Sequence, residues 1–109
     1  SMADRNNEVS KGNYFNHRVG QWAEYKAAAF LTRRKFEVYS HSGSQSICDL
    51  VAIKRKGVRL LIHLIEVKYH SLETESNHKP LRPDQKKFGV KLLVVSSDGT
   101  ITPHFALEK

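Results

Sequence analysis

The sequence has 109 residues, a length that fits one compact domain and excludes two independent cores. Its 18 lysines and arginines outnumber its 11 acidic residues, and the formal charge of +7 favours polyanionic partners, nucleic acid first among them. A single cysteine, Cys48, excludes an internal disulfide framework and a cysteine-rich zinc site, as is typical of a cytoplasmic protein. The longest apolar stretch is too short to cross a membrane, so no membrane partner is expected.

The N-terminal third predicts an arm followed by a helix. The first residues are polar, and we expect a flexible N-terminal arm over residues 1–13 and a single domain over residues 14–109. Apolar residues then recur at helical spacing over residues 16–34, which predicts one amphipathic helix. Residues 36–40 predict a short strand, and residues 41–46 a loop rich in Ser and Gly.

A β-hairpin and a short second helix are predicted next. Residues 49–53 and 58–68 are β-branched and apolar, and the basic, glycine-containing segment between them predicts a hairpin turn. Residues 70–80 are polar and predict an exposed loop. Residues 83–88 begin with Pro and Asp, which suits a helix start, and Gly89 ends this helix.

Two strands complete the chain. They are predicted over residues 90–95 and 101–107, and Pro103 favours an edge position for the second. The order is therefore helix, three strands, helix and two strands. This order predicts an α/β fold with a mixed central β-sheet flanked by helices.

Two opposite charges lie close together on the third strand. Side chains alternate between the faces of a strand, so Glu66 and Lys68 share one face while Ile65 and Val67 point to the other. One explanation is a salt bridge at the end of an edge strand. The other is a functional pair, because removing charges from water costs free energy and a functional site can justify that cost.

Asp49 favours the functional explanation. The hairpin brings Asp49 beside Glu66, and two adjacent carboxylates repel unless a cation neutralises them. Together with the backbone carbonyl of Val67 they offer hard oxygen ligands suited to Mg²⁺ or Mn²⁺. Lys68 is then placed to hold an attacking water or to stabilise charge on a phosphate.

Several motifs occur in a fixed order over residues 20–68. They are Gly20-Gln21-Trp22-Ala23-Glu24, Ser42-Gly43-Ser44, Asp49-Leu50-Val51-Ala52-Ile53 and Ile65-Glu66-Val67-Lys68. In this order they resemble the PD-(D/E)xK nuclease superfamily, and most closely its archaeal and phage Holliday junction resolvase-like branch.

The resemblance implies a restriction-endonuclease-like core and a metal-dependent, structure-selective DNA endonuclease of recombination and repair. It implies catalytic roles for Glu24, Asp49, Glu66, Lys68 and Ser44, and an Mg²⁺ or Mn²⁺ ion held by Asp49, Glu66, Glu24 and the Val67 carbonyl. It also implies a homodimer that cuts branched DNA such as a four-way junction.

Glu24 has an alternative explanation. It could be a solvated helix acid that pairs with Lys26 or Arg18. Gly20, however, lies one turn earlier on the same helix face and leaves a gap through which a ligand could reach Glu24.

Other substrates and a non-catalytic role stay open. The Gln85-Lys86 pair looks like the glutamine-containing helix of virus-type replication-repair nucleases, which favours flaps, nicks or DNA ends as alternatives. A DNA-binding module that keeps the fold without catalysis is a further alternative. Gln85 itself is expected to be an exposed helix residue, or else a contact to a phosphate or an active-site group. The predicted DNA contacts are Arg33, Arg34, Lys54, Arg55, Lys56, Arg82, Gln85 and Lys86.

The histidines do not form a metal-binding pattern. His63 lies on the strand face opposite Glu66, so we expect it to be packed or hydrogen-bonded within the fold.

Overall fold

The structure is a computed structural model that describes residues 2–41, 45–74 and 80–108, with side chains from residue 16 onward. Its elements in chain order are α1 (Met2–Arg33), β1 (Glu37–Ser40), β2 (Leu50–Lys56), β3 (Arg59–His70), α2 (Pro83–Lys87), β4 (Lys91–Ser96) and β5 (Ile101–Pro103). The predicted mixed α/β fold is confirmed, because the strands form one five-stranded mixed sheet flanked by helices.

The strands lie side by side in the sheet in the same order as along the chain, β1-β2-β3-β4-β5. Strands β1, β2 and β3 are antiparallel neighbours, β4 runs parallel to β3, and β5 returns antiparallel to β4. The parallel step needs a crossover, which is made by the segment that contains α2. Strand β3 therefore lies at the centre of the sheet, with two strands on each side.

Helix α1 packs one face of this sheet through small side chains. Ala23 and Ala27 lie one turn apart and are buried, as is Leu31 a turn later. They meet Leu50 of β2 and Ile65 of β3 in one apolar cluster. The alanines let the helix axis approach the sheet closely, so the position of α1 over β2 and β3 is defined by this contact.

Helix α1 is longer than the sequence suggested. It begins at Met2, whereas a start near residue 16 was predicted, and that start is wrong. The earlier residues contain no proline, and each residue added to a nucleated helix gains a hydrogen bond, so their polar composition does not stop the helix. The boundary drawn after residue 13 falls inside α1, and the flexibility of the arm stays a prediction.

The end of α1 is closed by a Schellman motif. The Phe36 N–H donates to the Leu31 carbonyl at 3.1 Å, and the Lys35 N–H donates to the Thr32 carbonyl at 3.0 Å. Both Phe36 and Leu31 are buried, which supplies the apolar contact that accompanies this motif. Lys35 carries the left-handed backbone, with φ of 73°. The chain thereby turns from α1 directly into β1.

Several strand boundaries differ from the prediction, and β2 continues to Lys56, three residues beyond its predicted end. Strand β3 continues to His70, so the following loop starts one residue later than expected. Strand β5 ends at Pro103 and does not reach residue 107, because proline lacks the N–H that continues a ladder. The edge position of β5 is confirmed.

His63 is packed inside the fold, as predicted. Its Nε2 lies 2.9 Å from the Leu107 carbonyl oxygen, and its ring contacts Phe36 and Phe105 at centroid distances of 5.8 Å and 4.9 Å. The residues after β5 are thereby held against the α1 side of the sheet. Of the helices in the described part of the chain, none has both the length and the apolar character needed to cross a bilayer.

Lys35→Gly tests the helix end. Glycine enters the left-handed region without the steric penalty of a Cβ, so the free energy of unfolding should rise by about 1 kcal/mol. Lys35→Ala is the matched control, because it removes the charge but keeps the Cβ, and it should leave stability nearly unchanged. Urea denaturation measures both, and equal effects of the two variants would contradict the assignment.

Candidate active site

Asp49, directly before β2, lies beside Glu66 of β3. Leu50 pairs with Ile65, which puts the preceding Asp49 next to Glu66. The Asp49 N–H donates to the Ile65 carbonyl at 2.9 Å, and the Val67 N–H donates to Oδ2 of Asp49 at 2.8 Å. These two hydrogen bonds fix both the backbone and the side chain of Asp49. The juxtaposition predicted from the hairpin is confirmed.

Glu66 and Lys68 form an ion pair in the middle of the sheet. The Nζ of Lys68 lies 3.2 Å from Oε2 of Glu66, and the two side chains are 27% and 12% exposed. Strand β3 has a neighbour on each side, so the explanation as a salt bridge on an edge strand is wrong. A buried acid on a central strand needs a compensating partner, and Lys68 supplies one positive charge beside it.

Glu24 reaches the same place from α1. Its side chain is hydrogen-bonded with that of Asp49, and its carboxyl group is repelled by the negative charge of Glu66. The Lys26 side chain, by contrast, lies beside Gly99 on the β4–β5 turn. The structure therefore brings Glu24, Asp49 and Glu66 together, as the sequence motifs predicted.

The ionised forms of the three carboxyl groups are destabilised, first by burial and then by neighbouring negative charge. Burial raises the pKa of Glu24, and the charge of Glu66 adds to this, while the hydrogen bond with Asp49 opposes it. Burial also raises the pKa of Asp49, against the hydrogen bond from Val67, and that of Glu66, where the charge of Asp49 adds to the effect. Three acids that resist ionisation in one place form a site that a cation would stabilise.

The carboxyl groups face an open cleft of about 910 Å³ between α1 and the sheet. Its walls are formed by Asn16, His17, Gly20, Gln21, Glu24, His41, Ser46, Asp49, Glu66 and Val67. A Cβ placed on Gly20 would meet no atom within 4 Å. The glycine is therefore not required by packing, and its missing side chain keeps the cleft wide in front of Glu24.

The donor set fits a hard divalent cation better than zinc. Within the described ranges, no group of three or more His, Cys, Asp or Glu side chains is arranged to hold a metal ion. Mg²⁺ needs fewer protein ligands, because it keeps several waters and often binds through one or two carboxylates. Asp49 and Glu66 supply two carboxylates, with one oxygen of Asp49 already engaged by the Val67 N–H. The two residues fit Mg²⁺ or Mn²⁺ in this way.

Most of the predicted DNA contacts lie far from the cleft. Lys54, Arg55 and Lys56 end β2, and Arg33 and Arg34 end α1 at the same side of the molecule. Asp49 lies at the opposite end of β2, about 20 Å away at the usual rise per residue. Several of these cations have partners: Lys54 and Lys56 both pair with Glu108. They form a separate basic region and do not line the cleft.

Gln85 is buried, so the expectation of an exposed helix residue is wrong. It is 1% exposed, its Nε2 donates to the Ile47 carbonyl at 3.1 Å, and its Oε1 accepts from the Arg82 N–H at 2.9 Å. Both ends of the Gln85 amide are hydrogen-bonded within the fold, so the side chain is not available for the predicted phosphate contact. Ile47 comes two residues before Asp49, so Gln85 anchors the segment that carries this carboxylate.

Among the predicted DNA contacts, Arg82 lies near the cleft through its contact with Ser46. Arg82 donates to the Ser46 carbonyl at 3.4 Å and pairs with Asp84, and about half of its side chain stays exposed. Lys86 is exposed on α2. Ser44, predicted from the resemblance, lies outside the described residues.

Five cleft residues were missed by the sequence analysis, namely Asn16, His17, Gln21, His41 and Ser46. His17 and Gln21 precede Glu24 by seven and three positions, so helical periodicity alone would have placed them on its face. His41 and Ser46 flank the loop before Asp49, and no local pattern distinguishes them from other loop residues.

Scans of protein-family models, of curated proteins and of solved structures found no match to this chain.

Asp49→Asn tests whether the carboxylate cluster is destabilising without a cation. Because the folded pKa values of these acids are raised, wild-type stability should fall as the pH rises from about 4 through those values. In EDTA at pH 8 the variant should be more stable by about 1 kcal/mol, while Mg²⁺ should no longer raise its Tm. Thermal melts across pH measure this.

Asp98→Asn is the matched control. The Thr100 N–H hydrogen bond lowers the pKa of Asp98, so this acid stabilises the fold when ionised, and its contribution disappears as the pH falls. Its substitution should lower stability slightly at pH 8 and leave the Mg²⁺ effect intact. Loss of stability in Asp49→Asn at pH 8 would contradict a functional cluster.

Gln85→Leu tests the anchor of the Asp49 segment. The Ile47 carbonyl and the Arg82 N–H would lose their partner, so the free energy of unfolding should fall by about 1–3 kcal/mol. Because Asp49 would be held less rigidly, its Mn²⁺ affinity should fall by about 10-fold or more. Titration followed by electron paramagnetic resonance measures binding, and Lys86→Ala is the exposed control. A loss of stability with unchanged affinity would limit Gln85 to a structural role.

Proposed function

We propose that this chain is a metal-dependent DNA endonuclease with a restriction-endonuclease-like core, and that its first substrate is branched DNA such as a four-way junction. The observation that carries the proposal is the pair of carboxylates formed by half-buried Asp49, directly before β2, and buried Glu66 of β3, with the ammonium of Lys68 next to Glu66. Two acids at an open cleft, one of them paired with a lysine, suit hydrolysis of a phosphodiester, where negative charge develops on the phosphate.

The order of the helices and strands and the mixed β-sheet support the proposed restriction-endonuclease-like core. The carboxylates lie at the start of β2 and on the central strand β3, which are antiparallel neighbours, and a helix packed on the sheet supplies the third acid, Glu24. The resemblance over residues 20–68 implies the same residues for such a nuclease. Two observations support the proposal: the motifs occur in this order along the sequence, and the fold brings Glu24, Asp49, Glu66 and Lys68 close together.

Each residue has a proposed task. Asp49 and Glu66, with the Val67 carbonyl, hold Mg²⁺ or Mn²⁺. When bound, the ion lowers the pKa of the attacking water and offsets the charge of the phosphate. Lys68 donates a hydrogen bond from Nζ to that water or to a phosphate oxygen, and Glu24, beside Asp49, helps to orient the water. Water attacks phosphorus and gives up a proton to solvent, the P–O bond to the leaving group breaks, and the leaving oxygen takes up a proton from solvent.

Charge and dimensions favour DNA as the substrate. The formal charge of +7 attracts a phosphate backbone, and Arg82 lies beside the cleft. The second basic region, at the far end of β2, is about 20 Å from Asp49, a span of about six base pairs of duplex. A DNA arm that leaves the cleft toward this region would contact both, which favours a duplex or branched substrate over a short single strand.

The proposal is tested by comparing cleavage of a labelled four-way junction with cleavage of matched duplex and flap substrates. Wild type should nick the junction in Mg²⁺ and not in EDTA. Glu66→Gln should abolish nicking, because it removes a metal ligand, and Lys68→Ala should slow it by about 10²–10³-fold, because it removes the positive charge beside the reacting phosphate. Lys91→Ala, an exposed lysine on β4 in register with Ile65, is the matched control and should cut like wild type.

The substrate panel separates the alternatives. Preferred cutting of flaps, nicks or ends would support the nuclease activity but would reject the four-way junction as the preferred substrate. Salt-sensitive DNA binding without cutting in either Mg²⁺ or Mn²⁺ would instead show a non-catalytic module of the same fold. Cleavage that persists in Glu66→Gln would reject the proposed site.

A further inference from the structure

Two lysines of β2 share one carboxylate from the segment that follows β5. Lys54 and Lys56 lie two residues apart on one face of the strand, and both pair with the carboxylate of Glu108. We call residues 104–108 the strap, because they run from the edge strand β5 across β3 to β2. The strap therefore places an acid within the basic region that lies about 20 Å from Asp49.

The strap is held to the fold by residues that precede Glu108. Phe105 and Leu107 pack against the apolar core, and the Phe105 ring lies 4.9 Å from the His63 ring. The Leu107 carbonyl oxygen lies 2.9 Å from Nε2 of His63. The Glu108 side chain itself is 47% exposed. Because exposed side chains change rotamer readily, Glu108 can leave the two lysines while the rest of the strap stays in place.

The two lysines differ in how firmly they are held. The Nζ of Lys54 lies 4.4 Å from the centroid of the buried Phe36 ring, a cation–π contact, and its side chain is 17% exposed. The Lys56 side chain is 40% exposed and is accessible from solvent. An ammonium that is already positioned loses little freedom when it binds an anion. Lys54 therefore supplies a fixed ammonium, and Lys56 supplies an accessible one beside it.

The surroundings of the two lysines are rich in positive charge. Lys35 and Arg55 line one shallow pocket with Lys54. Glu37 lines the same pocket, but it lies 3.7 Å from Arg55 and is paired with that residue. Neighbouring cations repel one another unless an anion lies between them. Glu108 is the anion that Lys54 and Lys56 share in this structure.

A carboxylate and a phosphate bind ammonium groups in the same way. Both present anionic oxygens that accept charge-assisted hydrogen bonds from lysine. The hydrogen bonds from Lys54 and Lys56 lower the pKa of Glu108 to about 2, so this carboxylate stays ionised at neutral and mildly acidic pH. A change of pH in that range does not release the two lysines, whereas a competing anion can.

We propose that Lys54 and Lys56 form a phosphate-binding site, that Glu108 occupies this site in the free protein, and that the DNA backbone displaces Glu108. The inference rests on DNA binding as part of the proposed function, and it does not require cleavage. Because Glu108 competes with the phosphate, the apparent affinity is reduced by the fraction of molecules in which the site is open.

The competition favours DNA that also reaches the cleft. A substrate bound at the cleft brings its next phosphates to the basic region at a high local concentration, so it displaces Glu108 readily. DNA that contacts the basic region alone must displace Glu108 without this help. The strap therefore weakens binding that does not involve the candidate active site.

Fluorescence anisotropy with a labelled duplex in EDTA tests the competition without cleavage. Glu108→Gln should lower the Kd for a duplex of about 20 base pairs by about 10-fold, because the neutral amide leaves the lysines open to phosphate. Asp98→Asn is the matched control, since it removes one negative charge from an exposed acid on the β4–β5 turn. It should change the Kd by less than about 2-fold, because distant exposed charges are screened by salt.

A double-mutant cycle separates direct competition from a general change of charge. Lys56→Gln should weaken DNA binding by itself. In that background Glu108→Gln should change the Kd by less than about 3-fold, because the site has already lost one of its two ammonium groups. An undiminished effect in the Lys56→Gln background, or a Kd for Glu108→Gln no lower than that for Asp98→Asn, would overturn the proposal.

Inorganic polyphosphate separates this inference from the proposed function. Calorimetric titration should show tighter polyphosphate binding by Glu108→Gln than by wild type, because the site recognises phosphate and not bases. If polyphosphate behaves in this way but no variant binds DNA, DNA is rejected as the ligand while the site is retained. If Glu108→Gln lowers the Tm but binds both polyanions as wild type does, Glu108 only fastens the strap and the proposal fails.

Discussion

The pairing of β2 with β3 is the constraint on which the rest of the molecule depends. Its register places Asp49 beside Glu66, and burial makes ionisation of both acids unfavourable. A shift of one residue would send every side chain of β3 to the opposite face and separate the two carboxylates. The apolar face against α1 therefore specifies the register, and the register assembles the candidate site.

The surrounding elements support this pair in different ways. Helix α1 contributes core alanines on one face and Glu24 beside them, so the same packing contact that stabilises the sheet also delivers the third acid. Helix α2 is short, yet its buried Gln85 binds the backbone at Ile47 and holds the segment before Asp49. Stability and site geometry thus share the same contacts, because α1 and β3 each supply both core residues and carboxyl groups.

Charge in this protein is sorted by position. Acidic groups meet in the cleft, Arg82 lies beside it, and further basic residues gather at the far end of β2. The net charge of +7 is therefore not spread evenly over the surface. Under the proposed function, a divalent cation would bind in the cleft and phosphates would bind along the basic regions.

The sequence by itself determined the local features, because strand alternation and helical spacing are properties of neighbouring residues. Glu66 and Lys68 on one face, Asp49 opposite Glu66, and the two helices all followed from such patterns. Tertiary structure alone decided the burial of Gln85, whose partner Ile47 is 38 residues away, and the distance of the basic hairpin from the cleft. It also decided which apolar face α1 covers, since that choice depends on long-range packing and not on any local period.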